Sequence, residues 1–90
     1  MPLEPGDVLG RFKIAKDIGS GGMCDVYLAI DGSNFQNVAL KVLNRDRVPD
    51  ERAVQQFVRE GELAASFSHP NVVAFVDAGC EDDQNYIAYE

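Results

Sequence analysis

GSGGMCDVYLAI, Gly19–Ile30, sets three glycines among its first four residues and then runs directly into an alternating apolar segment. The residues after the glycines decide the fold. A dinucleotide-binding loop of the GxGxxG type succeeds a strand and opens a helix, whose N-terminus meets the pyrophosphate. Here the third glycine position of that pattern is Cys24, and Val26, Leu28 and Ile30 recur at period two, the signature of a strand. A Walker A loop needs Gly-Lys and then Ser or Thr, and the chain contains no such tripeptide. Two readings of the glycines stay open at this point. They form a hairpin turn, or they form a bare backbone whose amides lie close over phosphate oxygens.

On the N-terminal side, RFKIAKDI, Arg11–Ile18, places Phe12, Ile14 and Ile18 on one face at period two, so a strand precedes the glycines as well. Residues 1–10 hold two prolines and two glycines and read as a lead-in rather than an element. After the turn-rich DGSNFQN, Asp31–Asn37, the segment VALKVL, Val38–Leu43, is apolar apart from Lys41 and reads as a third strand buried on both faces. From Asp50, a suitable N-cap, the period becomes helical, with Arg52, Gln55, Gln56, Arg59 and Ser66 on a polar face and Ala53, Phe57, Ala64 and Phe67 on an apolar one. The helix is expected to stop before His69 and Pro70, because a residue preceding proline is pushed out of the α region. NVVAFVDAG and NYIAYE, parted by the acidic turn CEDDQ, read as two further strands. The expectation is an α+β fold: a five-stranded antiparallel sheet with one long helix packed on it. The final strand reaches Glu90 without a closing signal, which reads as a fragment of a longer chain.

Composition narrows the function classes. With 46% hydrophobic residues the chain is expected to fold, and a net charge of −7 argues against nucleic-acid or anionic-membrane partners, which are held by clustered Lys and Arg. Glu81, Asp82 and Asp83 read as a solvated turn rather than a metal site. Cys24 and Cys80 have neither CxxC spacing nor a histidine ligand pattern, so a zinc site and a disulfide framework are both unsupported and a reducing, cytoplasmic setting is the default. No basic leader or long apolar span is present.

Two charges stand where apolar residues are expected. Glu60 falls within the stripe Ala53, Phe57, Ala64, Phe67, and Lys41 stands alone in its apolar strand. An unpaired ion in a core costs several kcal/mol, and each is the other's obvious opposite charge, which suggests a Lys41–Glu60 pair. The alternative is that both side chains snorkel to the rim.

Taken in order, these signals resemble the N-terminal lobe of a protein kinase, especially the bacterial serine/threonine kinases of eukaryotic type. IGSGGMCDVYLAID resembles the family's GxGxxGxV loop and second strand, with Gly19, Gly21 and Val26 matching; VALK resembles its VAIK motif. FVREGELAASFSHPNVV resembles the regulatory helix and HPN turn, which makes Glu60 the counterpart of the helix glutamate. NYIAYE resembles the strand that leads to the hinge, with Tyr89 at the gatekeeper position and Glu90 at the hinge.

The resemblance implies a lead-in over residues 1–10 and a kinase N-lobe over 11–90, with the C-lobe absent. It implies transfer of the γ-phosphate of MgATP to protein Ser or Thr by the parent protein. Lys41 would hold the α- and β-phosphates and Glu60 would position Lys41. The nucleotide would further meet Ile18, Gly19, Ser20, Gly21, Gly22, Met23, Cys24, Asp25, Val26, Ala39, Tyr89 and Glu90. ATP, a protein substrate and the missing C-lobe are the implied partners, with a homodimer through the N-lobe as a further expectation. Mg²⁺ ligands would lie in the C-lobe, since neither the HRD nor the DFG segment occurs in these residues. Cys24 departs from the third glycine; it stands as a small-residue replacement or as a redox handle beside the phosphates. The alternatives are a pseudokinase or regulatory docking module without catalysis, and, if a helix rather than a strand opens at Cys24, a Rossmann-type oxidoreductase.

Overall fold

The computed structural model describes residues 3–66 and 75–90. Its elements, in chain order, are β1 (Val8–Leu9), β2 (Phe12–Gly21), β3 (Cys24–Asp31), β4 (Asn37–Leu43), a 3₁₀ turn (Arg45–Arg47), α1 (Glu51–Ser66), β5 (Phe75–Glu81) and β6 (Gln84–Tyr89). The strands form one antiparallel sheet in the order β1-β2-β3-β4-β6-β5. A strand opens at Cys24, which excludes the dinucleotide-loop reading. The described residues contain six strands, one more than expected, because Val8 and Leu9 pair with Lys13 and Phe12 and so turn part of the lead-in into an edge strand.

Pairing sorts the side chains onto two faces, since cross-strand partners point the same way. One face carries Tyr27 and Ala29 opposite Leu40 and Val38, and with Phe12, Ile14 and Ala88 they make the larger core. The other face carries Val26 and Leu28 opposite Lys41 and Ala39. The period-two reading of β3 therefore holds, but its fully covered face is Tyr27, Ala29 and Asp31, while Val26, Leu28 and Ile30 are only half-buried. The expectation of a β4 buried on both faces is corrected in the same way. Val38, Leu40 and Val42 are buried, whereas Ala39 and Lys41 are half-buried, because their side of the sheet is only partly covered. In β2 the register shifts between Ile14 and Lys16 and again between Asp17 and Gly19. Each shift inserts an unpaired residue, so Ile18 leaves the face of Phe12 and Ile14 and is 48% exposed.

Asp50 caps α1, its carboxylate oxygen accepting from the Ala53 amide at 3.1 Å. The helix lies on β5 and β6 and buries Ala53, Val54, Phe57 and Gly61. Val54 and Phe57 join Leu43 and Ile87 in a smaller core, against which Tyr89 and Cys24 pack. The apolar stripe is thus rotated toward Val54 and Gly61, with Glu60 and Ala64 half-buried at its border. Gly61 permits this approach. A Cβ built there would stand 3.1 Å from the Ala78 Cβ and 3.4 Å from Ile87 Cγ1. Phe67, the helix stop before His69 and Pro70, and the strand start at Asn71 lie outside the described residues.

The acidic turn is a two-residue hairpin in which Asp82 and Asp83 have φ of 51° and 63°. Aspartate tolerates this left-handed backbone better than most residues, which accounts for the acidic cluster there. An ionic staple ties Arg11, the residue before β2, to β3 and β5. Asp31, 1% exposed, accepts from Arg11 Nε at 2.8 Å and from the Ser33 amide and hydroxyl, while Arg11 Nη1 donates to Asp77 at 2.9 Å. No helix among the described residues is long and apolar enough to cross a membrane.

Candidate functional site

Two rows across β3, β4 and β6 build the floor of the site. Val26 pairs with Lys41 and Lys41 with Ile87; Leu28 pairs with Ala39 and Ala39 with Tyr89. All six side chains therefore share the open face of the sheet, with α1 at one border. From that border Glu60 reaches Lys41. Nζ donates to Oε2 at 2.9 Å and to Oε1 at 3.2 Å, and the Tyr89 hydroxyl donates to the same Oε2 at 3.3 Å. The pair expected from two misplaced charges is present, but it is not a core pair: the side chains are 32% and 44% exposed. Snorkelling and pairing are combined, because the charged heads meet while both side chains keep part of their surface in solvent.

Burial works against the Lys41 charge, yet the hydrogen bond and charge of Glu60 outweigh it and hold the ammonium pKa above its ordinary value. Burial pushes the Cys24 thiol up, with Lys41 only partly offsetting it. A raised thiol pKa disfavours thiolate, so this environment does not activate Cys24 for redox chemistry. Both cysteines are free.

The glycine segment is a hairpin. Gly19 pairs with Val26, Ser20 with Asp25 and Gly21 with Cys24, leaving Gly22 and Met23 as the two-residue turn. Only Gly22 is required by the backbone, with φ +56°. Gly19 and Gly21 have no such need, and a Cβ at either would meet nothing within 4 Å. Both pair with residues on the Lys41 face, so the bare backbone lies beside that half-exposed face.

The other expected nucleotide contacts distribute unevenly. Val26, Ala39 and Tyr89 line the Lys41 face by register, Ile18 is exposed at the β2 shift, Met23 is 36% exposed at the hairpin tip, and Glu90 lies exposed just past β6. Asp25 and Ser20 belong to the opposite side of the ladder, since Asp25 pairs with Val42. The Asp25 carboxylate is held by Arg47 Nη2 at 2.5 Å and Asn44 Nδ2 at 3.2 Å, and the Asn44 amide donates to the Met23 carbonyl at 2.8 Å. Asn44 and Arg47 thus anchor the hairpin tip, a role no local pattern discloses, because each partner lies about twenty residues away in the chain. Gly61 had a legible signal, an isolated glycine in a helical pattern. Among the described residues no group of three or more His, Cys, Asp or Glu side chains is placed to hold a metal ion.

Comparison with known proteins gives a consistent result. The sequence profile of the protein kinase domain matches residues 12–90. The chain is similar to the serine/threonine-protein kinase PrkC of Bacillus subtilis, with 43% identity over 83 residues, covering 92% of the chain and 13% of that protein. It is 42% identical over 87 residues to the serine/threonine-protein kinase PknF of Mycobacterium tuberculosis, covering 97% of the chain and 18% of the relative. Of solved structures, the Mycobacterium tuberculosis PknI kinase domain superposes with a TM-score of 0.82 at 30% identity, over 99% of this chain and 36% of that one. The chain therefore spans less than a fifth of the length of these curated relatives.

Proposed function

The chain belongs to the protein kinase domain family, and on that footing we propose that residues 11–90 are the ATP-binding lobe of a serine/threonine protein kinase. Kinase domains in general use ATP with Mg²⁺ and act on protein substrates. The observation that carries the proposal for this chain is the Lys41–Glu60 pair at 2.9 Å on the face bordered by the glycine hairpin.

In this reading Lys41 directs its ammonium at the α- and β-phosphates of ATP, and Glu60 keeps that ammonium extended toward the cleft. Phosphoryl transfer depends mainly on positioning and electrostatic stabilisation, which is what a fixed cation supplies. The unobstructed backbone of Gly19 and Gly21 lets the hairpin close on phosphate oxygens, and Ile18, Val26 and Ala39 offer apolar surface to the adenine. Backbone groups at Glu90 meet the adenine edge. In this reading the ligands of Mg²⁺, like the base for the substrate hydroxyl, belong to the C-lobe of the parent protein. A Ser or Thr hydroxyl on a protein as acceptor, pairing of two such lobes as a homodimer, and a cytoplasmic location belong to the same proposal.

The test is Lys41→Met in the full-length protein, assayed for transfer of labelled phosphate from ATP. Loss of transfer with a native circular-dichroism spectrum and melting temperature is expected. Transfer at the wild-type rate would refute the role of Lys41, and absence of transfer by the wild-type protein itself would favour a docking module.

A further inference from the structure

We infer that the Tyr89 hydroxyl is a positioning group for catalysis, holding Glu60 in place so that Glu60 in turn holds Lys41. The inference rests on the proposed role of Lys41 and gives Tyr89 a function distinct from lining the adenine pocket with its ring.

Three observations carry it. Glu60 sits at the half-buried border of α1 with a side chain 44% exposed, so packing alone does not select its rotamer. Among the described residues, two side chains donate to its carboxylate: Lys41, through both oxygens, and Tyr89, through Oε2 at 3.3 Å. Tyr89 is itself rigidly mounted, because β6 is hydrogen-bonded on both sides, with Ala39 of β4 and Phe75 of β5 as its cross-strand partners, and the ring packs on the smaller core.

The two donors differ in what they can do. Lys41 must share its ammonium between Glu60 and any phosphate brought to it, so its hold on the carboxylate weakens when the site is used. Tyr89 has one proton to donate, and among the described residues Glu60 is the acceptor it meets. It tethers a residue of the helix to a central strand without cancelling the negative charge that orients Lys41. Burial first, and then the charge and hydrogen bond of Glu60, push the Tyr89 hydroxyl pKa up, so the group stays a proton donor throughout the working pH range.

Tyr89→Phe in the full-length protein keeps the ring and removes the donor. A hydrogen bond to a charged, partly exposed group corresponds to a fall in kcat of about three- to tenfold. The KM for ATP and the melting temperature are expected to stay unchanged, because the ring remains. In a Glu60→Ala background, monitored by single-turnover phosphate transfer with enzyme in excess, Tyr89→Phe should cost nothing further, since the acceptor is gone. The inference is overturned if Tyr89→Phe leaves kcat at the wild-type value, if it raises KM alone, if it lowers kcat only in step with the melting temperature, or if the same loss persists without Glu60. Lys41→Met run in parallel separates the two levels. Activity retained there removes the premise, whereas activity lost there with Tyr89→Phe unaffected removes only the role of the hydroxyl.

Discussion

Lys41 Nζ lies 2.9 Å from Glu60 Oε2, yet the two side chains remain 32% and 44% exposed. Their contact is close and their setting is wet. A pair sealed in the core would cost about 3–5 kcal/mol when broken, but exposed pairs are worth about 0.2–1 kcal/mol because water screens them and both side chains lose freedom. Geometry, rather than stability, is what this pair contributes.

Glu60→Ala is therefore expected to lower the stability of the domain by about 1 kcal/mol or less, while phosphate transfer falls at least tenfold. Denaturant unfolding and steady-state kinetics on the same preparation check the two halves. A loss of several kcal/mol would show that the pair is structural.

Asp31 contributes to stability in acid. The Arg11 guanidinium, aided by hydrogen bonds from Ser33, lowers its pKa from 3.8 to about 2. Its folded pKa lies below the unfolded one, so its contribution is complete above about pH 4 and is lost as the pH falls toward 2. The unfolding midpoint of the wild type should drop through that window more steeply than that of Asp31→Asn. Parallel curves for the two would contradict this assignment.

Gly61→Ala sets two effects against each other. Alanine gains up to about 1 kcal/mol in helix propensity, and the Cβ at 3.1 Å from the Ala78 Cβ incurs an overpacking cost of about 1–3 kcal/mol. The relief available is a small movement of α1 off β5 and β6, which carries Glu60 away from Lys41. The expected result is a modest net stability change with a disproportionate fall in kcat. Unaltered kcat would mean that the sheet yields instead of the helix.

Asp25→Ala frees the hairpin from Asn44 and Arg47. Because the loop would clamp the nucleotide and Asp25 lies on the sheet face opposite Lys41, the KM for ATP should rise about two- to fivefold, matching a partly exposed ion pair, with kcat little changed. Titration of a fluorescent ATP analogue reads the same effect as affinity. An unchanged KM would leave Asp25 without a part in the loop's order.

Local chemistry made most of the elements legible. Period two marks β2 and β3, an apolar run marks β4, Asp50 announces α1, and the glycines and acidic pair announce hairpins, because each signal depends on residues a few positions apart. The pairing of Lys41 with Glu60 was also readable, since a lone charge in an apolar stripe needs a partner. Alternation says which side chains share a face but not which face is covered, so the greater burial of Tyr27 and Ala29 over Val26 and Leu28 was settled by the packing of the whole sheet. Register shifts at Ala15 and Ile18 leave no compositional trace, and a two-residue edge strand at Val8 is too short for a periodic signal. The Tyr89–Glu60 bond spans 29 positions and the Arg11–Asp31 bond 20, so only the folded chain brings those donors to their acceptors. The sequence by itself determined most of the elements and the charged pair; the tertiary structure decided that this pair stays half-exposed, because exposure is a property of the neighbours that a face acquires on folding.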